Sequence, residues 1–315
     1  MITKAYGLIA LFATLAQEPI RVDVELVRVP CTVTNKKGET VKHLEARDFS
    51  IVDNGVKRPV KYFGRETDLP LTIGLLVDVS GSQRRYLRQH REALRQFFEQ
   101  VLRKGDRAFI AAVAGNVRLV QDFSDSAEVL TAAVDRVDGT RGTRLGKPCP
   151  TREMVVRDRI FLIPICGGSV IWDGVYYAAE KLRAVEGRKA LILMTDAEDS
   201  GSPHTLEQAI EMAQSGETIV YTIKAVERRK LRDAWKKPLE NLADQTGGFG
   251  FNVRYDKPGE IFAKIQEELR TQYVLGFNAE GAHDGSFHTL KVSVAGRGNK
   301  VRTRTGYWAR KEQTQ

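Results

Sequence analysis

The sequence predicts an α/β fold, a doubly wound and mostly parallel sheet, with an additional β-sandwich-like domain formed by the N- and C-terminal segments. Three observations lead there. Between residues 69 and 255, short apolar runs alternate with amphipathic helical stretches, as in a parallel sheet covered by helices on both faces. The flanking segments, 17–66 and 256–310, carry strand-like runs and turn signals, apart from one helix, and neither has enough strands to cover a core alone. Pairing the two ends of the chain into one sandwich resolves both, and makes the α/β domain an insertion. A chain of 315 residues, 42% of them hydrophobic, is long enough to bury one large core and one smaller one.

At the start, Lys4 precedes the apolar run Ala5 to Ala13, and Thr14-Leu15-Ala16 offers the small residues that a signal peptidase reads. Residues 1–16 are therefore expected to be a secretory signal, and the mature chain an exported, periplasmic or extracellular protein. No later stretch approaches the roughly 20 apolar residues that a spanning helix needs. The formal charge is +9, and loss of Lys4 with the leader leaves +8, a balance that favours acidic partners. Nucleic acid is not expected among them, because the basic residues are scattered and the chain is exported. Of the three cysteines, Cys149 and Cys166 bracket one irregular segment and could bridge in an oxidising compartment, leaving Cys31 free; three unpaired cysteines is the alternative.

Ile20, Val22, Val24 and Leu26 alternate with Arg21, Asp23 and Glu25, the period of a half-buried strand, and Cys31 to Thr34 extends a second. Phe49 to Asp53 and Val56 to Phe63 flank Asn54-Gly55, the strongest short hairpin signal in the chain. In the α/β region the expected strands are Leu71 to Val77, Ala108 to Val113, Val117 to Phe123, Lys189 to Thr195, Thr218 to Ala225 and Phe249 to Val253. Helices are expected between them, near Gln83 to Arg103, Ser126 to Val137, Trp172 to Val185, Pro203 to Gln214 and Pro238 to Gln245. Gly139 to Pro164 is rich in Gly, Arg and Pro and reads as a long surface loop. An amphipathic helix from Gly259 to Tyr273 follows, then strands at Tyr273 to Phe277, Phe287 to Val294 and Val301 to Trp308.

The chemistry concentrates at Asp78-Val79-Ser80-Gly81-Ser82, which closes an apolar strand and opens a helix. Alternation points Asp78, Ser80 and Ser82 toward one spot, and strand-to-helix turns are where open α/β sheets place ligands. A carboxylate and two hydroxyls are hard oxygen donors, suited to Mg2+, Mn2+ or Ca2+ and not to Zn2+. Two further loops seem built for the same place: Gly167-Gly168-Ser169, before the helix at Trp172, and Asp196, at the end of the apolar strand Leu191 to Thr195.

These residues resemble the von Willebrand factor type A family, whose metal-ion-dependent adhesion site combines an Asp-x-Ser-x-Ser turn with a Thr on a second loop and an Asp on a third. Asp78, Ser80 and Ser82 match the turn; Ser169 stands where the family has Thr and keeps the hydroxyl; Asp196 matches the third-loop carboxylate, followed by Ala197 in place of the usual Gly. Asp48-Phe49 before Asp53-Asn54-Gly55, Thr246-Gly247-Gly248, Glu268 to Tyr273 and Gly306-Tyr307-Trp308 extend the resemblance over nearly the whole mature chain, to the bacterial von Willebrand factor A-related proteins typical of acidobacteria. The resemblance implies a binding module and no enzyme: the metal, Mg2+ first and Mn2+ or Ca2+ otherwise, keeps one position open for a Glu or Asp of a protein ligand.

Other readings account for the same residues in other ways. Ser82 could simply cap its helix while backbone donors satisfy a buried Asp78, and Asp199 and Ser200 could serve the metal as outer or additional groups, or begin the next turn or cap the helix at Pro203. The five histidines show no pair at metal spacing, and His90 falls on a helix stripe that reads as core. A hydrolase is disfavoured, because no Gly-x-Ser-x-Gly elbow is present. The alternative of a different class is a structural scaffold of an envelope assembly whose metal site is vestigial. Sequence leaves the oligomeric state open.

Overall fold

Strands from the two ends of the chain share sheets. The structure, a computed structural model, describes residues 25–65, 69–83, 86–138, 151–156, 159–164, 169–196, 199, 201–224, 236–253, 257–279 and 285–309. Residues 1–24, which hold the expected leader and most of the strand expected from Ile20 to Leu26, and Cys149, Cys166, Gly167, Gly168, Ala197 and Ser200 lie outside them. The first described strand, β1 (Glu25–Thr34), contains the second expected one, Cys31 to Thr34; Val27, Val29, Cys31 and Val33 face inward, and Leu26, of the apolar set expected to do so, is exposed. After it come β2 (Phe49–Asp53) and β3 (Val56–Arg58), joined by Asn54 and Gly55 at φ 45° and 81°, the left-handed pair that a two-residue hairpin requires. The strand expected from Val56 to Phe63 is divided. Pro59, which has no N–H to donate, follows β3, and β4 (Tyr62–Arg65) crosses to the other sheet.

In the α/β region every residue of β5 (Leu71–Asp78) is buried, as its unbroken apolar run requires. The chain continues through α1 (Leu87–Val101), β6 (Arg107–Val113), β7 (Val117–Ser124) and α2 (Ala127–Val134). The segment read as a loop from Gly139 to Pro164 contains an antiparallel ribbon, β8 (Thr151–Val156) and β9 (Arg159–Pro164). Its Val, Ile and Phe residues begin only after the Gly- and Pro-rich half that dominated the composition. Then come α3 (Ile171–Arg183), β10 (Arg188–Thr195), α4 (Leu206–Ser215), β11 (Thr218–Lys224), α5 (Lys236–Thr246) and β12 (Gly250–Asn252). The six strands order as β12-β11-β10-β5-β6-β7, parallel except for β7 at one edge. Leu94, Phe97 and Leu130 pack on one face against Ile73, Leu75 and Val77; Val175, Ala178, Ile210 and Leu242 pack on the other against Leu76 and Leu193.

The chain ends with α6 (Pro258–Arg270), β13 (Tyr273–Ala279), β14 (Phe287–Val294), β15 (Lys300–Thr303) and β16 (Gly306–Trp308). Ile261, Phe262, Ile265 and Leu269 of α6 join the α/β core. The strands complete two four-stranded antiparallel sheets, β15-β1-β13-β4 and β16-β14-β2-β3, which enclose Val29, Ile51, Leu275, Phe277 and Tyr307. The single strand expected from Val301 to Trp308 is broken at Arg304-Thr305. There the Arg304 guanidinium donates to the carbonyls of Arg28 (2.7 Å) and Gln214 (3.3 Å), and Thr305 N–H donates to Gln245 O (3.2 Å). These contacts join the sandwich to the α/β layer near the start of the parallel strands. Asp106, buried at the same end, accepts from the N–H of Leu71 and of Arg103 and pairs with Arg270 at the close of α6. The carboxyl ends of the parallel strands, where Asp78 lies, are left for the site.

Candidate functional site

Asp78 is the last residue of β5, and its side chain is fully buried. Its Oδ1 accepts the backbone N–H of Ser80 at 2.9 Å and the hydroxyl of Ser169 at 3.0 Å, and its Oδ2 accepts the hydroxyl of Thr195 at 2.7 Å. Burial raises the Asp78 carboxyl above the ordinary carboxylate range; bonds from Ser80 and Thr195 pull it down, and the charge of Asp196 raises it further. The chain thus sets a second carboxylate close enough to act on one that is already desolvated.

Ser80 and Ser82 follow on the exposed side of the turn, their hydroxyl oxygens 3.1 Å apart. Ser82 does not cap α1. Residues Gly81–Gln83 form a single 3-10 turn, the cap position belongs to Tyr86, and no side chain fills it. Both serines keep hydroxyls whose hydrogens can rotate and whose lone pairs can turn toward a cation.

Ser169, buried just ahead of α3, and Asp196, half-buried just beyond β10, complete the set of residues singled out from the sequence. Hydrogen bonds join Asp78 to Ser80 and Ser169, and Ser80 to Ser82, while Asp196 reaches Asp78 through its charge. Among the described residues no cluster of three His, Cys, Asp or Glu side chains forms, so the donor set here is mostly hydroxylic. Thr195 was missed. Its sequence signal is only that it precedes Asp196 at the end of an apolar strand, yet it holds the second oxygen of Asp78.

Asp199 begins the next turn, its Oδ2 accepting Gly201 N–H at 3.3 Å and Ser202 N–H at 3.2 Å, and the cap of α4 is Thr205, which accepts Gln208 N–H at 3.3 Å. Asp199 also reaches the start of α3, where Val170 at the cap position offers no side-chain acceptor, and accepts Trp172 N–H at 3.3 Å. His90 is in the core, and burial pushes its imidazole down to about 4. Cys31 is a buried free thiol, pushed up to about 12 by the same cause. The bridge considered between Cys149 and Cys166 falls outside the described residues. No described helix is long and apolar enough to cross a membrane.

No protein-family model matches the chain, and no curated protein matches its sequence. Solved structures are similar in part. One is described as von Willebrand factor type A from Catenulispora acidiphila: it is 13% identical, and the match covers 93% of this chain and 76% of that one, with a TM-score of 0.48. An aerotolerance-related membrane protein from Bacteroides fragilis NCTC 9343 is 12% identical over 63% of this chain and 98% of its own, with a TM-score of 0.47. Proximal thread matrix protein 1 from the mussel byssus is 15% identical over 70% of this chain and 50% of its own, with a TM-score of 0.49. At such identities the functional reading rests on this chain's own side chains.

Proposed function

We propose that the chain is an exported protein-binding module that captures a Glu or Asp side chain of a protein partner through a divalent cation held by Asp78, Ser80, Ser82, Ser169 and Asp196. The observation that carries the reading is the state of Asp78: a fully buried carboxylate, tied to hydroxyls on two other segments, under the charge of a second carboxylate. Such a set fits a hard cation, whose charge would relieve both the desolvation of Asp78 and its repulsion from Asp196. Mg2+ suits these oxygen donors, with Mn2+ or Ca2+ as alternatives. Two carboxylates offset the charge of a divalent cation and neutral hydroxyls add none, so an incoming carboxylate would be drawn by an open coordination position on the ion and not by a net positive charge. The net charge of +8 after loss of the leader adds long-range attraction for an acidic partner, screened over about 10 Å at 0.1 M salt. Binding is the whole function in this reading, and no bond is broken.

The test is a calorimetric titration of the mature chain with Mn2+ and Mg2+, alongside Asp78→Ala, followed by partner capture in Mg2+ and in EDTA. Saturable binding that Asp78→Ala abolishes is the expected result; no binding at millimolar cation overturns the reading. A scaffold with a vestigial site has one observation in its favour, that the Ser80–Ser82 and Ser169–Asp78 bonds let the site satisfy part of its own polar groups. Capture that is indifferent to EDTA would favour it.

A further inference from the structure

We infer that Asp199 is a positioning residue for the proposed cation site, fixing Ser169 and Asp196 relative to one another; the inference rests on the reading of that site given above. Four donors occupy its carboxylate. Oδ1 accepts Trp172 N–H at 3.3 Å and the Ser202 hydroxyl at 2.6 Å, and Oδ2 accepts Gly201 N–H at 3.3 Å and Ser202 N–H at 3.2 Å. A carboxylate has about four acceptor positions, so one engaged in this way is a junction and not a ligand in waiting.

The donors come from both sides of the site. Gly201 and Ser202 belong to the loop that carries Asp196, and Trp172 lies in the first turn of α3, three residues after Ser169. The backbones of Ser169 and Asp199 also meet directly, in a single parallel bridge. Further ties lie outward of this one. Ser202 Oγ accepts Asp173 N–H at 3.2 Å, Asp173 Oδ1 accepts His204 N–H at 2.9 Å and lies 2.8 Å from His204 Nδ1, and the His204 ring stacks on Tyr176 with centroids 3.8 Å apart. Two segments that reach the site from different strands are thereby stapled into one unit. Asp199 is its innermost tie, the one that touches both the bridge to Ser169 and the loop from Asp196.

The experiment is a Mn2+ titration of the full chain, well below its melting temperature, for the wild type, Asp199→Ala, Asp199→Asn and Thr205→Ala. Thr205→Ala is the control, since it removes a helix cap of the same kind from α4 without touching the staple. Asp199→Ala is expected to weaken Mn2+ binding by about 10- to 100-fold, the usual cost of removing a group that orients a metal ligand. Asp199→Asn, which keeps an oxygen for Trp172 N–H, should fall between it and the wild type. Thr205→Ala should melt lower in EDTA yet bind Mn2+ like the wild type. Equal affinity of Asp199→Ala and the wild type overturns the inference, as does an equal loss in Thr205→Ala, which would trace the effect to general stability. A wild type that binds no Mn2+ overturns the cation reading itself, and this inference with it.

Discussion

At the scale of single residues, Asp78 is a carboxylate whose charge the fold disfavours. Its folded-state carboxyl is raised, so its charged form is the disfavoured one; any stability it contributes is present at low pH and lost as pH rises through the folded value. Asp78→Asn keeps the shape and removes the charge. In EDTA at pH 7 this variant should melt above the wild type, and Mn2+ should raise the wild-type melting temperature while leaving that of the variant unmoved; a thermal melt with and without the ion measures both. His90 has the opposite dependence. The unfolded chain takes its proton near pH 6.5 and the folded chain only near 4, so the neutral imidazole stabilises the fold above about 6.5, and that stability drains away as pH falls toward 4. Denaturant titrations should show the wild type losing about 2 kcal/mol more than His90→Leu between pH 7.5 and pH 5. Equal losses would place the sensitivity elsewhere.

At the scale of elements, the short motifs outside the site act as joints. In Thr246-Gly247-Gly248, Thr246 Oγ1 accepts Val220 N–H at 3.1 Å and donates back to Leu242 O at 2.9 Å, tying the end of α5 to β11. Gly247, at φ 84°, lies under the backbone of Thr303 and Arg304, and a Cβ on Gly248 would stand 2.0 Å from Val220 O. Gly248→Ala should therefore cost about 3 kcal/mol or more, read as a lower denaturation midpoint. An unchanged midpoint would mean that the joint has slack. In the stretch Glu268 to Tyr273, Glu268 pairs with Arg302, Arg270 with Asp106, and the Tyr273 hydroxyl donates to Val41 O at 2.9 Å and accepts Leu44 N–H at 3.1 Å. Such motifs were legible as signals but not as joints, because their partners lie far along the chain. β5, β10 and β11 could be read from sequence because strands buried on both faces are built mainly of apolar and β-branched residues. The divisions at Pro59 and Arg304 could not, since the residues on either side keep the same strand-like character while changing sheets. At the site, the turn Asp78 to Ser82 announced itself by its spacing. Thr195 did not, because its use depends on a carboxylate 117 residues away.

At the scale of the whole molecule, the sandwich is a joint product of both chain ends, and Cys31 reports on it. The residue sits on β1 between Tyr273 of β13 and Thr303 of β15, and burial holds its thiol unreactive. In native buffer the full chain should leave Cys31 unalkylated, and a chain ending at Ala279, without β14 to β16, should alkylate it readily, as peptide mass mapping would show. Continued protection in the shorter chain would mean that the N-terminal strands stand without their C-terminal neighbours. The same architecture sets a mechanical axis. β5 begins at Leu71, near the junction with the sandwich, and ends at Asp78, roughly 23 Å away at about 3.3 Å per residue. It lies at the centre of the sheet, paired over seven residues with β10 on one side and with β6 on the other. A tug on anything held at Asp78, resisted at the sandwich, runs along that strand and loads both ladders in shear, with all their hydrogen bonds sharing the force. An edge strand such as β12, paired on one side over three residues, could be peeled bond by bond. Force applied at the Asp78 turn along β5 would therefore meet two seven-residue ladders at once, where the edge strand β12 offers one of three residues.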